Sequence, residues 1–295
     1  MKTLDFINAK LPPGGKVFSR SLSNLVFRSL NPYEIFQSEI RNACIESIEL
    51  KDKEEFWRLW TLNFQRSILD YYQYPEKSFR SIAQQVSISN LRCLETLRTE
   101  GGLVLTYHFH HQNTLCCVLG LLGVTVWAVA NRPESSQLYP YIGHWASKLN
   151  RLSQYHFCGG QYLYTDDLKS IARQVPQIFQ NRSALVCLVD VHQPSPRSPV
   201  LQLYKRSIEP PVGVIESARR AKIPIHLVAL MPDRSTIMRP SSQINYELWI
   251  EELTNFKDTA SILRVYFDRL EQLLSRSPYL WQGWQWLGGL PRNNV

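Results

Sequence analysis

The sequence predicts a single α/β domain in which a largely parallel, twisted sheet is flanked by helices and has a helical N-terminal cover. Two observations predict this class. Short apolar runs typical of buried strands alternate with helical patterns through most of the chain. No internal repeat or linker divides its 295 residues, and with 44% hydrophobic residues it can bury one large core. We assign residues 1–84 to an N-terminal helical segment that packs on the core and residues 85–295 to the core itself.

The N-terminal segment begins irregularly and then predicts two helices. Over residues 54–72, large apolar side chains recur every fourth residue, which is the spacing of one helix face; they are Phe56, Trp60, Phe64, Ile68 and Tyr72. Core packing explains this aromatic face better than a slot for an acyl chain or contact with a membrane. A second helical pattern covers residues 81–99.

From residue 101 onward, strand and helix patterns alternate. Predicted strands cover residues 103–107, 124–130, 184–189 and 223–230. Predicted helices cover residues 111–122, 139–152, 168–180 and 211–222, and a late helix covers residues 261–275. This alternation favours parallel pairing, because each helical crossover returns the chain to the same edge of the sheet.

Composition excludes several classes of protein. No apolar run approaches the roughly 20 residues that span a bilayer, and the N-terminus lacks the apolar stretch of a secretory signal. Six cysteines without zinc-ribbon spacing predict reduced thiols rather than a disulfide scaffold. These features favour a cytoplasmic protein and leave peripheral attachment to the inner membrane open.

The net charge of +8 is spread evenly along the chain. The nearest approach to a basic patch consists of Lys205, Arg206, Arg219, Arg220 and Lys222. A mild basic surplus suits an anionic partner such as an acidic carrier protein, a nucleotide-bearing cofactor or anionic lipid. No nucleic-acid-binding motif accompanies these cations, so a nucleic-acid partner is not favoured.

The densest group of reactive side chains directly follows the first strand of the core. His108, His110 and His111 lie within four residues, at the kind of strand end where ligands gather in α/β sheets. Histidine is the usual general base near neutral pH. We therefore predict that at least one of these three histidines is functional.

Two other chemistries stay open for this cluster. Zinc needs four ligands in tight geometry, and the histidines would need Cys116, Cys117, Asp190 or His192 to complete a site, a spacing that matches no familiar pattern. A cysteine nucleophile at position 116 or 117 would lie within an apolar run, where burial raises the pKa of a thiol and makes it unreactive.

Five short blocks within residues 85–290 carry a family resemblance. They are Gly101-Gly-Leu-Val-Leu-Thr-Tyr-His108-Phe; Ala130-Asn-Arg-Pro133; Leu188-Val-Asp190 with Pro196-Arg197-Ser198; Pro210-Pro-Val-Gly213 with Ile223-Pro-Ile225; and Pro278-x-x-Trp281 with Trp284 and Trp286. In this order they resemble the lysophospholipid acyltransferase superfamily, and more narrowly the lauroyl/myristoyl acyltransferases of lipid A biosynthesis.

The resemblance implies an acyltransferase that moves a fatty acyl group from a thioester, on acyl-carrier protein or coenzyme A, to a hydroxyl or amine. It implies His108 as the general base. The family's carboxylate five residues later is Asn113 here, so Asn113 is expected to orient the ring without supplying charge. The residues expected to bind substrate are Arg132, Asp190, Arg197 and His111. No metal and no resident cofactor is expected, since the acyl thioester is a co-substrate.

Two departures from the family bear on activity. The first departure is the asparagine at position 113. In serine proteases the equivalent Asp→Asn change lowers turnover about 10⁴-fold. A catalytically degenerate relative that binds acyl groups or carriers is therefore the first alternative function. A metal-dependent hydrolase is the second alternative function. The family's usual N-terminal membrane-spanning helix has no counterpart in the sequence, so the acceptor need not be lipid A.

Overall fold

The computed structural model of the protein describes residues 37–48, 52–72, 75–132, 147, 150–238, 245–254 and 256–290. Its strands are β1 (Ser87–Ile88), β2 (Gly102–Thr106), β3 (Val126–Ala130), β4 (Tyr162–Tyr164), β5 (Ala184–Leu188), β6 (Leu201–Leu203), β7 (Arg206–Ile208), β8 (Ile225–Pro232) and β9 (Tyr246–Leu253). Its helices are α1 (Gln37–Ser47), α2 (Lys53–Tyr72), α3 (Pro75–Gln85), α4 (Leu91–Glu100), α5 (Gln112–Leu121), α6 (Leu168–Gln180), α7 (Gly213–Arg220), α8 (Arg234–Met238), α9 (Thr259–Arg276) and α10 (Trp284–Leu287).

Seven of these strands form one sheet in the order β1-β9-β8-β2-β5-β3-β4. Neighbouring strands are parallel except for β8 and β9, which are antiparallel. Strands β6 and β7 form a separate antiparallel pair. The predicted fold class is therefore confirmed: a largely parallel sheet flanked by helices within one α/β domain.

The central strand β2 is buried along its whole length, because helices cover both faces of the sheet. Alternate side chains of a strand point to opposite faces, and β2 follows this rule. Leu103 and Leu105 belong to one hydrophobic cluster, whereas Val104 belongs to the other. A strand with both faces buried gives the continuous apolar run that marked it in the sequence.

Glycine at position 101 allows β2 to begin close beside β5. Gly101 has a φ of 70°, and a Cβ at this position would lie 2.4 Å from the carbonyl carbon of Arg182. Only glycine adopts such a conformation at so close an approach without strain. The pairing then runs from Gly102 opposite Ala184 to Thr106 opposite Leu188, and this register decides which residues meet where the two strands end.

Helix α2 packs against residues 278–287, which we call the C-terminal strap. The indole nitrogen of Trp60 donates a hydrogen bond to the carbonyl oxygen of Trp281 at 2.9 Å. The aromatic face predicted for α2 belongs to the core, since Phe56, Trp60 and Phe64 are buried. The boundary between residues 84 and 85 stays a prediction.

Several elements differ from the sequence prediction. The helix predicted over residues 81–99 is two helices separated by β1, and α4 begins after Asn90, whose side chain accepts a hydrogen bond from the backbone N–H of Cys93. The sequence prediction missed helix α1 and strands β1, β4, β6, β7 and β9. Most of the helix predicted over residues 139–152 lies outside the described residues, as do Pro133 and the residues before Gln37. Among the described helices, none is both long and apolar enough to cross a membrane.

Candidate active site

The candidate site lies where the parallel strands β2 and β5 end side by side. Thr106 and Leu188 are paired in the sheet, and His108 and Asp190 each follow two residues later. Because paired positions in a parallel sheet lie about 4.8 Å apart, the register brings the histidine and the carboxylate together. The sequence indicated both residues as strand-end candidates, but it did not show that they are partners.

His108 and Asp190 form a hydrogen-bonded dyad. Nδ1 of His108 lies 2.7 Å from Oδ1 of Asp190, and the backbone N–H of His108 donates to Oδ2 at 2.8 Å. The indole N–H of Trp281 also donates to Oδ2, at 2.7 Å. Asp190 is completely buried, so these groups replace the water that would otherwise solvate its charge.

Asp190 is held in its ionised form by its partners. Burial alone would raise the pKa of this carboxyl group, but the charge of His108 and the hydrogen bonds from His108 and Trp281 lower the pKa below its usual value. An ionised Asp190 can only accept, so the shared proton belongs to Nδ1 of His108. In the neutral ring this leaves the lone pair on Nε2, and the side chain is 22% exposed, which is the arrangement a general base needs.

The C-terminal strap holds this histidine segment in place. The backbone N–H of Gln282 donates to the carbonyl oxygen of His108 at 2.8 Å, and the N–H of His110 donates to that of Leu280 at 3.2 Å. The ring of Trp286 packs edge-on against the His108 ring, with centroids 5.1 Å apart. The tryptophans at the end of the sequence therefore do more than cover the sheet, because they form one wall of the site.

The other two histidines of the cluster are buried. His110 packs against Trp60 at a centroid distance of 4.7 Å, and burial lowers its pKa to about 3. Nε2 of His111 lies 2.9 Å from the side-chain oxygen of Asn63, and its Nδ1 lies 3.3 Å from the hydroxyl of Tyr246. The structure thus places His111 between helix α2 and strand β9 with protein partners on both nitrogens, and its role in substrate binding stays a prediction.

Asp190, and not Asn113, lies on Nδ1 of His108, and the orienting role of Asn113 stays a prediction. Helix α5 begins at Gln112, so Asn113 lies in its first turn with a partly exposed side chain. The hydrogen-bond acceptor at Nδ1 of His108 arrives along the neighbouring strand and not from this helix. Counting five residues along the chain could not indicate this contact, because it depends on the register between β2 and β5.

The two arginines predicted to bind substrate do not join the dyad. Arg132 follows β3, two strand spacings or about 10 Å from β2, and donates to Asp166 at 2.5 Å while its guanidinium covers the Tyr164 ring. Arg197 is exposed and pairs with Glu216 of helix α7 at 3.3 Å. Their roles as substrate-binding residues stay predictions.

The structure also shows where the two candidate cysteines, the possible metal ligands and the basic residues lie. Burial raises the pKa of Cys116 to about 12 and that of Cys117 well above its usual value, as expected for unreactive thiols. Within the described ranges, no group of three or more His, Cys, Asp or Glu side chains is arranged to hold a metal ion. Arg206 is buried and pairs with Glu46 at 2.7 Å, so the five cations noted in the sequence do not form one surface patch.

A groove of about 440 Å³ opens where β8 ends and β9 begins. It is lined by Ser87, Met231, Pro232, Asp233, Arg234, Asn245, Tyr246, Glu247, Leu273, Arg276, Ser277, Tyr279, Leu280. The strap residue Leu280, which contacts the histidine segment, also forms part of this lining. The groove and the histidine segment therefore share a contact with the C-terminal strap, although the lining includes neither His108 nor Asp190.

Comparisons with known proteins give little further information. No protein-family model matches the chain, and no curated protein gives a significant match. One match among solved structures is the crystal structure of a 1-acyl-sn-glycerophosphate (LPA) acyltransferase, PlsC, from Thermotoga maritima, with 15% identity and a TM-score of 0.40 over 88% of this chain and 98% of that chain. A similarity of this strength carries no functional argument. Membership of the lysophospholipid acyltransferase superfamily, and of its lipid A branch, stays a prediction.

Proposed function

We propose that the protein is an acyltransferase that moves a fatty acyl group from an acyl thioester to a hydroxyl or amine acceptor, with His108 as general base. The observation that carries this proposal is the buried, ionised Asp190 on Nδ1 of a partly exposed histidine. Such a pair takes the proton of an attacking acceptor and stabilises the imidazolium that forms.

The proposed reaction has two steps. The acceptor oxygen or nitrogen forms a bond to the thioester carbonyl carbon, its proton passes to Nε2 of His108, and the carbonyl electron pair moves onto the oxygen. The tetrahedral adduct then collapses, the C–S bond breaks, and the leaving thiolate takes the proton from the imidazolium. Asp190 stays ionised throughout. The products are an ester or amide and a free thiol, and no resident cofactor takes part.

The donor is proposed to be acyl-coenzyme A or acyl-carrier protein. Both are anionic, which suits a chain with a net charge of +8. Arg132, at the end of β3, lies on the edge of the sheet that carries the dyad and is the cation we propose to meet the donor. We propose that the groove at the end of β8 receives part of a substrate. A peripheral association with anionic membrane lipid, and a cytoplasmic location, belong to the same proposal.

The dyad weakens the case for a catalytically degenerate relative. That alternative was based on Asn113, which stands where the family has its carboxylate. Asp190 supplies a carboxylate to the same ring from the neighbouring strand. An asparagine at position 113 is therefore no longer a reason to expect lost turnover.

The experiment that tests the proposal measures free thiol released from a panel of acyl-coenzyme A and acyl-carrier thioesters. A mixed pool of amines, alcohols and lysolipids serves as acceptors. Wild type is compared with His108→Ala and with the control His192→Ala, which removes an exposed histidine outside the dyad. Loss of a general base is expected to lower the rate roughly 10²- to 10⁴-fold, whereas the control keeps the wild-type rate.

Two outcomes would contradict the proposal. Equal thiol release by wild type and His108→Ala would show that the histidine is not the base. No release by folded wild type from any donor, together with saturable quenching of tryptophan fluorescence by acyl thioesters, would favour the binding-only relative.

A further inference from the structure

The Asp190 carboxylate accepts hydrogen bonds from within the dyad and from outside it, and it also interacts electrostatically with the buried phenols of Tyr107 and Tyr266. His108 supplies two, through its ring and its backbone N–H. Trp281 of the C-terminal strap supplies another, through its indole N–H at 2.7 Å. The Trp281 side chain is completely buried, so this bond does not compete with water.

The position of Trp281 is fixed by contacts that do not involve its indole N–H. Its carbonyl oxygen accepts the hydrogen bond from Trp60, and its backbone pairs with Phe109 in an antiparallel bridge. Its ring packs edge-on against Trp284, with centroids 5.0 Å apart. The fold therefore presents the N–H to the carboxylate and would hold the ring there even if the donor were removed.

We infer that Trp281 is a positioning residue for the base. Its N–H holds the Asp190 carboxylate so that Oδ1 lies on the His108 ring, and it offsets part of the negative charge that acts on this ring. This inference rests on the proposed function, since it concerns the base of that reaction. It gives the C-terminal strap a part in catalysis that is distinct from packing.

The direction of the effect follows from the charges. The negative charge of Asp190 stabilises the protonated imidazolium. An N–H dipole directed at the same carboxylate offsets part of that charge. Without this donor, the imidazolium is stabilised by more of the Asp190 charge. The base then stays protonated to higher pH, and the acidic limb of the kcat/KM profile moves to higher pH.

The sharpest test removes the donor without changing the shape of the side chain. In 3-benzothienylalanine a sulfur atom replaces the indole N–H, so Trp281→benzothienylalanine in the full-length chain leaves no large cavity. The matched control is the same replacement at Trp284, a neighbour in the strap whose indole N–H donates to the carbonyl oxygen of Pro278. Trp281→Phe provides a second variant made from ordinary residues.

Two measurements are made on each variant. The first is the pH profile of kcat/KM for thiol release. The second, which needs no turnover, is the pH titration of the low-field proton NMR resonance of the His–Asp hydrogen bond. At position 281 we expect the acidic limb to rise by about 0.5 to 1 pH unit, with kcat at neutral pH lowered several-fold and KM for the thioester unchanged. At position 284 we expect the limb and the resonance to stay in place.

The outcomes separate this inference from the proposed function. If His108→Ala abolishes thiol release but neither Trp281 variant moves the acidic limb, the proposed function stands and the inference is overturned. A shift of the same size at Trp284 would also overturn it, because packing alone would then explain the effect. If the wild type shows no His108-dependent thiol release, the proposed function falls, and the NMR titration alone decides the inference about the dyad.

Discussion

Asp190 is the residue on which the dyad most depends, and its replacement by asparagine tests this directly. Asp190→Asn keeps the size of the side chain but removes its charge. The amide NH₂ group, which can only donate, would also face the N–H donors of His108 and Trp281. The expected result is a fall in kcat of about 10⁴-fold, as for the equivalent change in serine proteases, or about 5.5 kcal/mol of activation free energy. The measurement is kcat for thiol release, with circular dichroism to verify folding. A loss of less than tenfold in a folded variant would contradict the assigned role.

Asn113 gives the complementary prediction. If Asp190 is the carboxylate of the dyad, it already accepts the hydrogen bond from Nδ1 of His108. The second carboxylate that Asn113→Asp adds would then find no free donor at this nitrogen. We expect kcat/KM at pH 7 to stay within about threefold of wild type, since surface substitutions outside such contacts have small effects. A large gain in rate, measured in the same thiol-release assay, would show that the site needs its acid at position 113.

At the scale of elements, Asn63 connects helix α2 to the site without touching the dyad. Its side-chain nitrogen donates to the carbonyl oxygen of Tyr279 at 3.1 Å, and its oxygen bonds to the ring of His111. Asn63→Ala leaves both buried groups short of a partner, at a cost of about 1–3 kcal/mol each. We expect the midpoint of thermal unfolding to fall by several degrees, with kcat at 20 °C nearly unchanged. An unchanged midpoint would show that water replaces the amide.

Most elements long enough to show a period were predicted, although helix α1 and strand β9 were missed. Helix α6 matches its predicted range of residues 168–180, and the core strands β2 and β5 fall within one residue of theirs. Strands β1 and β4 have two and three residues, too few for any periodicity to appear. Strand β9 is the instructive miss: Tyr246, Leu248 and Ile250 alternate with exposed or half-buried residues, which is the signal of a strand.

At the scale of the whole molecule, the site joins segments that are far apart in the chain. His108 and Asp190 are 82 residues apart, and Asp190 and Trp281 are 91 residues apart. The sequence indicated that each of the first two belongs at a strand end, because that follows from local pattern and family resemblance. It could not pair them, since the pairing requires the order and register of the strands, and it could not find the bond from Trp281, since nothing local distinguishes this tryptophan from its neighbours.

The stability of the whole fold is expected to fall in mild acid because of a buried histidine in β8. His226 is completely buried, and neither ring nitrogen has a hydrogen-bond partner among the described residues. Burial lowers its pKa from 6.5 to about 4. Between these values the unfolded chain takes up a proton that the folded chain does not, so the free energy of unfolding falls as the pH falls, by up to about 1.4 kcal/mol per pH unit from this group.

Urea unfolding between pH 7.5 and pH 4.5 measures this effect. His226→Leu keeps the site buried and removes the titrating group, so its free energy of unfolding should fall less steeply with acid than that of wild type. The difference should open below pH 6.5 and approach its full size near pH 4. His192→Leu, which changes an exposed histidine, is the matched control. Parallel curves for wild type and His226→Leu would mean that His226 is protonated equally in the folded and unfolded chains, and that its burial has no influence on the acid limit of the fold.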